Sequence, residues 1–282
     1  MRTYRYVLCD VFTDRPLEGN PLAVFTDARG LDTVTMQALA CEMNLSETVF
    51  VLPAESDGDA RIRIFTPKME VAFAGHPTLG TAFVLGQPLE RVSIALETGA
   101  GTVHVALERE GDRVAFGWMR QPIPKVESYP VLAELLAGLG IEGSKAPVEL
   151  YDNGVRHVLV MLSDEAAVSA LQPDFARLSS LPGVSTISAF SGAGERWKTR
   201  VFAPAAGVEE DPATGSAAGP LALHLARHGF ISFGRCIRIE QGAEIQRPSV
   251  LSACVYGTPE RVERVDVGGG AVVVARGEFR LP

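Results

Sequence analysis

The chain of 282 residues is 46% hydrophobic and only 21% charged, a composition that excludes an intrinsically disordered protein. Its formal net charge of -8 and the lack of a basic run argue against a nucleic-acid partner, because phosphate binding requires clustered Lys and Arg. No apolar run reaches the ~20 residues of a membrane-spanning helix, and no signal-peptide-like segment follows Met1. We therefore expect a cytoplasmic protein with no membrane partner.

The four cysteines are too scattered to suggest a metal site or a disulfide framework. They are Cys9, Cys41, Cys236 and Cys254. Their spacing favours buried free thiols in a reducing compartment over disulfides.

Alternating apolar residues and turn formers predict a strand-rich first half. Asp32 is expected to cap a first helix. Met36, Leu39 and Met43 give this helix one buried stripe, and Pro77 fits the first turn of a second helix. Strands are expected at 4–12, 22–26, 48–52, 61–65, 92–96, 103–107 and 114–118. Together these elements predict a twisted antiparallel sheet around helices.

The segment 121–124, Gln-Pro-Ile-Pro, interrupts the strand pattern and is the predicted boundary between two halves. The predicted domains are 1–120 and 121–282, with the final strand, 275–282, a candidate to join the first domain. Helices are expected at 130–139, around 175–181 and at 212–228, and strands at 155–162, 237–239, 250–256, 262–267 and 272–274. Because Pro220 lacks an N–H and clashes with the carbonyl of Ser216, we expect a kink or a later start in the last helix.

The chain contains two versions of one motif, at 63–82 and 200–217, which indicates a diverged duplication. Phe65, Pro67 and Val71 match Phe202, Pro204 and Val208 at one offset, and Pro77, Gly80, Thr81 and Ala82 match Pro212, Gly215, Ser216 and Ala217 after a two-residue shortening. The predicted strand 94–100 is similar in sequence to 237–243, and the segment 19–24 is similar, more weakly, to 153–158. The repeated order predicts two similar domains.

Each copy of the motif places polar residues at the N-terminus of a helix, where unpaired N–H groups and the positive end of the helix dipole favour an anion. Two such termini facing one cleft predict a small carboxylate ligand between the halves. Glu47, His76 and Asp211 are the candidate proton-transfer groups, since carboxyl and imidazole groups can be tuned towards neutral pKa values. No metal or nucleotide-binding motif is predicted.

Each candidate also has a purely structural interpretation. His76 could cap its helix, Asp211 could be an ordinary helix start, and a carboxylate such as Glu47 at a strand edge is commonly solvated. Repetition of the motif favours function, although duplicated packing would repeat as well. The other four histidines are expected on strands or helices without partners; they are His104, His157, His224 and His228.

The chain resembles the phenazine-biosynthesis isomerase (PhzF-like) family, within the diaminopimelate-epimerase-like fold. Four motifs carry the resemblance, which covers essentially the whole chain. They are Asp10-Val11-Phe12-Thr13 with Gly19-Asn20-Pro21-Leu22-Ala23-Val24-Phe25, Asn44-Leu45-Ser46-Glu47-Thr48-Val49-Phe50-Val51, Ala74-Gly75-His76-Pro77-Thr78-Leu79-Gly80-Thr81-Ala82 and Asp211-Pro212-Ala213-Thr214-Gly215-Ser216-Ala217.

The resemblance implies an α+β protein of two pseudo-symmetric domains, each an antiparallel β-barrel-like sheet around a central helix. It also implies a homodimer and a cofactor-free active site between the domains. The residue matching Glu47 is the general acid/base, and those matching His76 and Asp211 orient the substrate and assist proton movement. The positions implied to give the substrate hydrogen bonds are Ser46, Gly75, Gly215 and Ser216.

The activity implied by the resemblance is the isomerisation of a dihydro-hydroxyanthranilate to a ketone by movement of a proton and its double bonds. Related epimerases of this fold use one cysteine from each domain, and neither motif here contains Cys, so the residues exclude a two-thiol mechanism. The leading hypothesis is a cofactor-independent isomerase of a small carboxylate-bearing substrate. The alternatives are a small-acid-binding or regulatory protein without catalysis, and a racemase or lyase in the same cleft.

Overall fold

Two units of similar topology make up the chain in a computed structural model, which describes residues 2–281. The first unit contains the residues up to Arg120 together with those from Gly268 onward, and the second is Gln121–Val267. From the sequence, only 275–282 are a candidate to join the first domain, whereas in the structure the segment that belongs to the first unit begins at Gly268. That the units are independent folding domains stays a prediction.

The helices and strands follow one another in a similar but not identical order in the two halves of the chain. The first half contains β1 Arg2–Val11, β2 Asn20–Phe25, α1 Thr33–Met43, β3 Glu47–Leu52, β4 Ala60–Phe65, β5 Glu70–Val71, α2 Gly75–Gly86, β6 Ser93–Thr98, β7 Gly101–Glu110 and β8 Arg113–Gln121. The second half contains β9 Lys125–Ser128, α3 Leu132–Leu139, β10 Glu149–Asp152, β11 Arg156–Met161, α4 Glu165–Ser169, α5 Phe175–Ser179, β12 Thr186–Ala193, β13 Arg196–Ala203, β14 Val208–Asp211, α6 Gly215–Arg227, β15 Cys236–Gln241, β16 Ser249–Gly257, β17 Val262–Gly269 and β18 Ala271–Leu281. Within residues 2–281, none of the helices has the length and apolar character of a membrane-spanning helix.

The sheets are mixed, which corrects the expectation of purely antiparallel sheets. In the first unit, β2 pairs with β3 and β4 with β6 in parallel; in the second, β11 pairs with β12 and β13 with β15 in parallel. The physical reason is that each parallel pair is joined through at least one helix, and parallel neighbours require a long crossover connection. Antiparallel pairings within the units include β1 with β18 in the first and β9 with β10 in the second.

Helix α1 begins and ends where the sequence predicts. The Asp32 carboxylate accepts a hydrogen bond from the Thr35 N–H at 2.8 Å, and Asn44 adopts a left-handed conformation after the last turn. Met36 and Leu39 are buried on one face. The capping and the buried stripe together fix the helix between β2 and β3.

Helices α2 and α6 are the buried centres of their units. Nearly every residue of each helix is buried, and each packs against strands of its own unit. At Gly80 in α2, a Cβ atom would lie 2.7 Å from side-chain carbons of Val11 and Leu22, so only glycine permits this close approach of the helix to the sheet. The core of each unit is therefore built around the helix that the motif begins.

Helix α6 starts at Gly215, three residues later than Pro212, and continues through Pro220 to Arg227. A later start was one of the two outcomes expected from Pro220. The Ser216 carbonyl, which cannot accept a bond from Pro220, accepts one from the Asn153 side-chain amide at 2.9 Å. The loss of one helical hydrogen bond is thus compensated by a side chain from outside the helix.

The duplication is visible in an arginine and its partners. In the first unit the Arg63 guanidinium makes a bidentate pair with Glu70 and lies 5.2 Å from the Phe65 ring. In the second unit Arg200 makes the same pair with Glu210 and lies 5.2 Å from the ring of its own Phe at i+2. The arginine and the phenylalanine stand at matching positions of the motif, which supports a common origin for the two halves, whereas the paired glutamates lie 7 and 10 residues after their arginines.

The cysteine expectation was wrong for one pair. Cys236 and Cys254 form a disulfide, because they face each other in the antiparallel register of β15 and β16 with Cα atoms 4.2 Å apart. Their separation of 18 residues gave no indication of this register. Cys9 is a buried free thiol, and Cys41 is a free thiol but exposed.

Candidate active site

Glu47 and His76 meet at the N-terminus of α2. Glu47 is the first residue of β3 and His76 is the second of α2. The Glu47 Oε2 atom lies 3.6 Å from His76 Nδ1, and the imidazole is 3% exposed whereas the carboxylate is 18% exposed. A carboxylate that solvent can reach, beside a buried imidazole, is an arrangement suited to proton transfer.

His76 is held neutral and in one orientation. Burial lowers the pKa of His76 to about 3, so the contact with Glu47 is not an ion pair near neutral pH. The Asn20 side-chain amide lies 3.2 Å from His76 Nδ1 and donates to it, which places the imidazole proton on Nε2. That nitrogen is buried and has no partner among the described residues. It is therefore a donor available to a substrate oxygen.

The N-terminus of α2 adds backbone donors to the same position. Its N-cap residue, Ala74, has no side chain that can cap the helix. Gly75 is the first helical residue and is buried, and no Cβ shields its amide. Uncapped N–H groups at a helix start favour a negatively charged group.

In the second unit, Asp211 lies just before the N-terminus of α6. Asp211 ends β14 and is 8% exposed, and one of its carboxylate oxygens accepts a 2.6 Å hydrogen bond from the Thr214 hydroxyl. The Gln241 side chain accepts from the Thr214 N–H and donates to the Asp211 carbonyl. The N-cap residue of α6, Thr214, makes no side-chain capping hydrogen bond, and Gly215 and Ser216 are the first two residues of the helix.

The remaining predicted binding residues fall at the starts of these elements. Ser46 is half-buried in the turn before β3, and Gly75 is the first residue of α2. Gly215 and Ser216 are the first two residues of α6, both buried. The Gly215 carbonyl accepts from the Gln121 amide at 2.7 Å. The structure therefore brings Glu47 together with His76 and Gly75 in the first unit; Asp211, Gly215 and Ser216 belong to the second.

Three histidines expected to lack partners have them, which corrects that interpretation. His157 Nδ1 lies 2.5 Å from the Thr186 hydroxyl, and burial lowers the pKa of His157 to about 3. His224 and His228 both contact Glu149. They lie four residues apart in the sequence, a spacing that puts two side chains on one face of a helix.

Three residues that position the site were missed as site residues, namely Asn20, Thr214 and Gln241. Asn20 and Gln241 lie 56 and 27 residues from the groups they contact, so no local pattern reveals the contacts. For Gln241 the sequence does contain an indication of importance, because this residue lies in the second copy of a strand that is repeated in both halves.

A family model described as phenazine biosynthesis-like protein, PhzC-PhzF, matches residues 9–277. The chain belongs to this family. Trans-2,3-dihydro-3-hydroxyanthranilate isomerase of Pseudomonas aeruginosa is 53% identical over 278 residues, covering 99% of this chain and 100% of that protein. The protein of the same name from Pseudomonas chlororaphis is 52% identical with the same coverage.

Solved structures give the same picture of the fold. A PhzF-family phenazine biosynthesis protein from Bacillus anthracis superposes with a TM-score of 0.88 at 28% identity and covers 100% of both chains. A hydroxyproline epimerase from Agrobacterium vitis has a TM-score of 0.71 at 12% identity, covering 98% of this chain and 92% of that chain, which is a likeness of fold alone. The predicted α+β epimerase-like fold and the predicted isomerase class are confirmed. The alternative of a binding protein without catalysis is not favoured.

Proposed function

We propose that the chain isomerises trans-2,3-dihydro-3-hydroxyanthranilate, with Glu47 as the group that moves the proton. The observation that carries this substrate is the 53% identity, over 99% of the chain, to an enzyme named for that reaction. The Glu47–His76 pair at an uncapped helix start supplies chemistry that fits it. A substrate carboxylate is suited to the helix N-termini, where N–H groups and the dipole favour an anion.

The proposed reaction balances without an oxidant or a cofactor. The hydroxyl-bearing carbon loses its hydrogen as a proton, the electron pair moves into the neighbouring double bonds, and a proton is added at another carbon. The enol that remains becomes a ketone when its hydroxyl proton is lost and carbon is protonated. Glu47 takes the first proton and returns one to carbon, which requires a carboxylate in the resting enzyme.

His76 acts in this proposal as a neutral hydrogen-bond donor. Its Nε2–H has no other partner among the described residues, and a proton on this atom is fixed by the amide of Asn20. A preorganised donor stabilises an oxygen that gains negative charge more than it stabilises the neutral ground state. Asp211, held by Thr214, binds and orients the substrate together with Ser46, Gly75, Gly215 and Ser216.

We also propose that the active protein is a homodimer and that it works in the cytoplasm, as the sequence analysis predicts. The Cys236–Cys254 disulfide argues against the cytoplasmic location, because disulfides are rare in reducing compartments. Analytical ultracentrifugation tests the dimer. Thiol titration of protein isolated under acid quench tests whether the disulfide exists in the cell.

Turnover of trans-2,3-dihydro-3-hydroxyanthranilate by the purified chain tests the function. Glu47→Gln should retain the wild-type circular dichroism spectrum and lower kcat by about 10²- to 10⁴-fold, the usual contribution of a general acid/base. Glu42→Gln is the matched control, because Glu42 is an exposed carboxylate on α1. Absence of turnover by the wild type would contradict the proposed substrate. Full turnover by Glu47→Gln would contradict the proposed role of Glu47.

A further inference from the structure

Two imidazoles and one carboxylate converge where α6 ends beside β10. His224 lies in the last turn of α6 and His228 directly follows it, with the His228 N–H bonded to the His224 carbonyl at 3.0 Å. This full helical turn places both rings on one face, and their centroids are 4.5 Å apart. Glu149 comes from β10, the strand facing them. All three residues belong to the second unit.

The three candidate ligand atoms are already within the spacing of a metal coordination sphere. Glu149 Oε2 lies 2.8 Å from His228 Nε2 and 3.5 Å from His224 Nδ1, and all three ligand atoms lie within 4.8 Å of one another. Tetrahedral ligands held about 2.0 Å from a zinc ion are themselves separated by roughly 3.3 Å. Shifts of a few tenths of an ångström to about one ångström would therefore admit an ion.

We propose that Glu149, His224 and His228 bind a divalent transition-metal ion, with Zn²⁺ the best match to two imidazoles and one carboxylate. A solvent molecule would supply the fourth ligand. His228 and Glu149 are 21% and 18% exposed, which gives an ion access from solvent, while His224 is fully buried.

The surroundings of the three ligands orient them as outer-shell groups do in metal sites. The Tyr151 hydroxyl donates to Glu149 Oε2 at 2.7 Å, and the Arg227 guanidinium lies 3.5 Å from the other carboxylate oxygen. The His224 ring packs edge-on against Tyr151 and Phe190, with centroids 5.7 Å apart in each case. Packing and hydrogen bonds thus limit the rotation of two ligands before any ion binds.

The position of the site assigns the ion a structural role. His224 lies eight residues beyond Ser216 on α6, about 12 Å along the helix axis at 1.5 Å per residue. The ion would fasten the far end of the helix to β10, the strand that precedes Asn153, whose side chain holds the near end through the Ser216 carbonyl. Binding is therefore expected to stabilise the fold.

Metal binding by the full-length chain tests the proposal. The chain carries Cys41→Ser in all samples, because an exposed thiol would bind Zn²⁺ adventitiously, and is dialysed against EDTA before titration with Zn²⁺ against a chromophoric chelator. We expect one ion per chain with a Kd below about 1 μM, and a rise in Tm of about 5 °C at a free concentration 100-fold above Kd.

Four variants separate this site from adventitious binding. Glu149→Gln and His228→Gln should each weaken binding at least about 100-fold, more than the loss of an outer-shell partner does. His104→Gln, which removes an exposed histidine of β7, should leave Kd unchanged. Arg227→Gln should strengthen binding by up to about 5-fold, because a positive charge near the ion is removed.

The outcomes decide the proposal in both directions. Stoichiometric binding lost in Glu149→Gln and in His228→Gln, and retained in His104→Gln, would establish the site. A Kd above about 100 μM, or binding that survives both ligand substitutions, would overturn it. His224 is not substituted in the test, because it is buried in the core of the unit.

Discussion

Burial sets the protonation of His76 in the first unit and of His157 in the second. His76 and His157 are both buried, and burial lowers the pKa of each from 6.5 to about 3. In the unfolded chain the same groups take up a proton near pH 6.5. Between pH 6.5 and 3 the unfolded state therefore binds more protons than the folded state, and stability falls as pH falls.

The pH dependence of stability can be assigned to single histidines. Each buried histidine should contribute about 1.4 kcal/mol per pH unit to the decline of unfolding free energy below pH 6.5. His157→Gln, which can still hydrogen-bond to Thr186, should lower the slope between pH 6 and pH 5 by about this amount. Urea unfolding at several pH values measures it.

The control for that experiment is His104→Gln, because His104 is exposed on β7. It should give the wild-type slope. If the slope of His157→Gln equals that of the wild type between pH 6 and pH 5, burial does not hold His157 neutral in the folded state.

At the level of single residues, the sequence was informative where a motif recurs. Glu47, His76 and Asp211 lie at junctions between elements. The repetition of the motif in both halves indicates His76 and Asp211 as candidate site residues. Their roles as site residues stay a prediction. The contacts that orient them, from Asn20 and Gln241, arise only when distant strands are brought together. The Glu149–His224–His228 cluster was missed although the spacing of its histidines is local.

Helix α6 illustrates how an element tolerates a residue that should break it. Pro220 removes the donor that would bond to the Ser216 carbonyl, and Asn153 supplies another. Because this carbonyl is buried at the start of the helix, its hydrogen bond also fixes the backbone next to a proposed substrate-binding residue. The compensation ties the helix to the segment that follows β10.

A double-mutant cycle measures this compensation. Asn153→Ala should cost about 1–3 kcal/mol, because a buried carbonyl loses its donor. In a Pro220→Ala background the restored N–H at position 220 can take its place, so the same substitution should cost less, with a coupling energy of about 1 kcal/mol. Guanidinium unfolding of the wild type, both single variants and the double variant gives the four free energies. Additive costs would show that Asn153 does not substitute for the missing helical donor.

Elements with strong local signals were predicted, and elements defined by the sheet were not. Helix α1 had both a capping residue and a buried stripe, and its observed bounds follow them. Strand β12, with Thr, Ser and Ala among its buried residues, shows no apolar alternation and was not predicted. The parallel pairings and the Cys236–Cys254 disulfide depend on register between strands, which local patterns do not encode.

The whole molecule is a duplicated unit whose two copies have diverged in the residues they offer. The pairing of β2 with β3 sets Leu22 opposite Glu47, and the equivalent pairing of β11 with β12 sets His157 opposite Thr186. The position of His76 in the first copy of the motif is taken by Asp211 in the second copy. The two copies of the motif therefore offer different side-chain chemistry at this position, an imidazole in the first unit and a carboxylate in the second.

The proposed transfer of a carbon-bound proton by Glu47 can be tested directly in deuterium oxide. Because the Glu47 carboxylate is 18% exposed, its proton should exchange with solvent during turnover. The product formed from trans-2,3-dihydro-3-hydroxyanthranilate should therefore carry deuterium on carbon by mass spectrometry, and Glu47→Gln should incorporate it at least about 100-fold more slowly. Incorporation by Glu47→Gln at the wild-type rate would contradict the assignment of the proton transfer to Glu47.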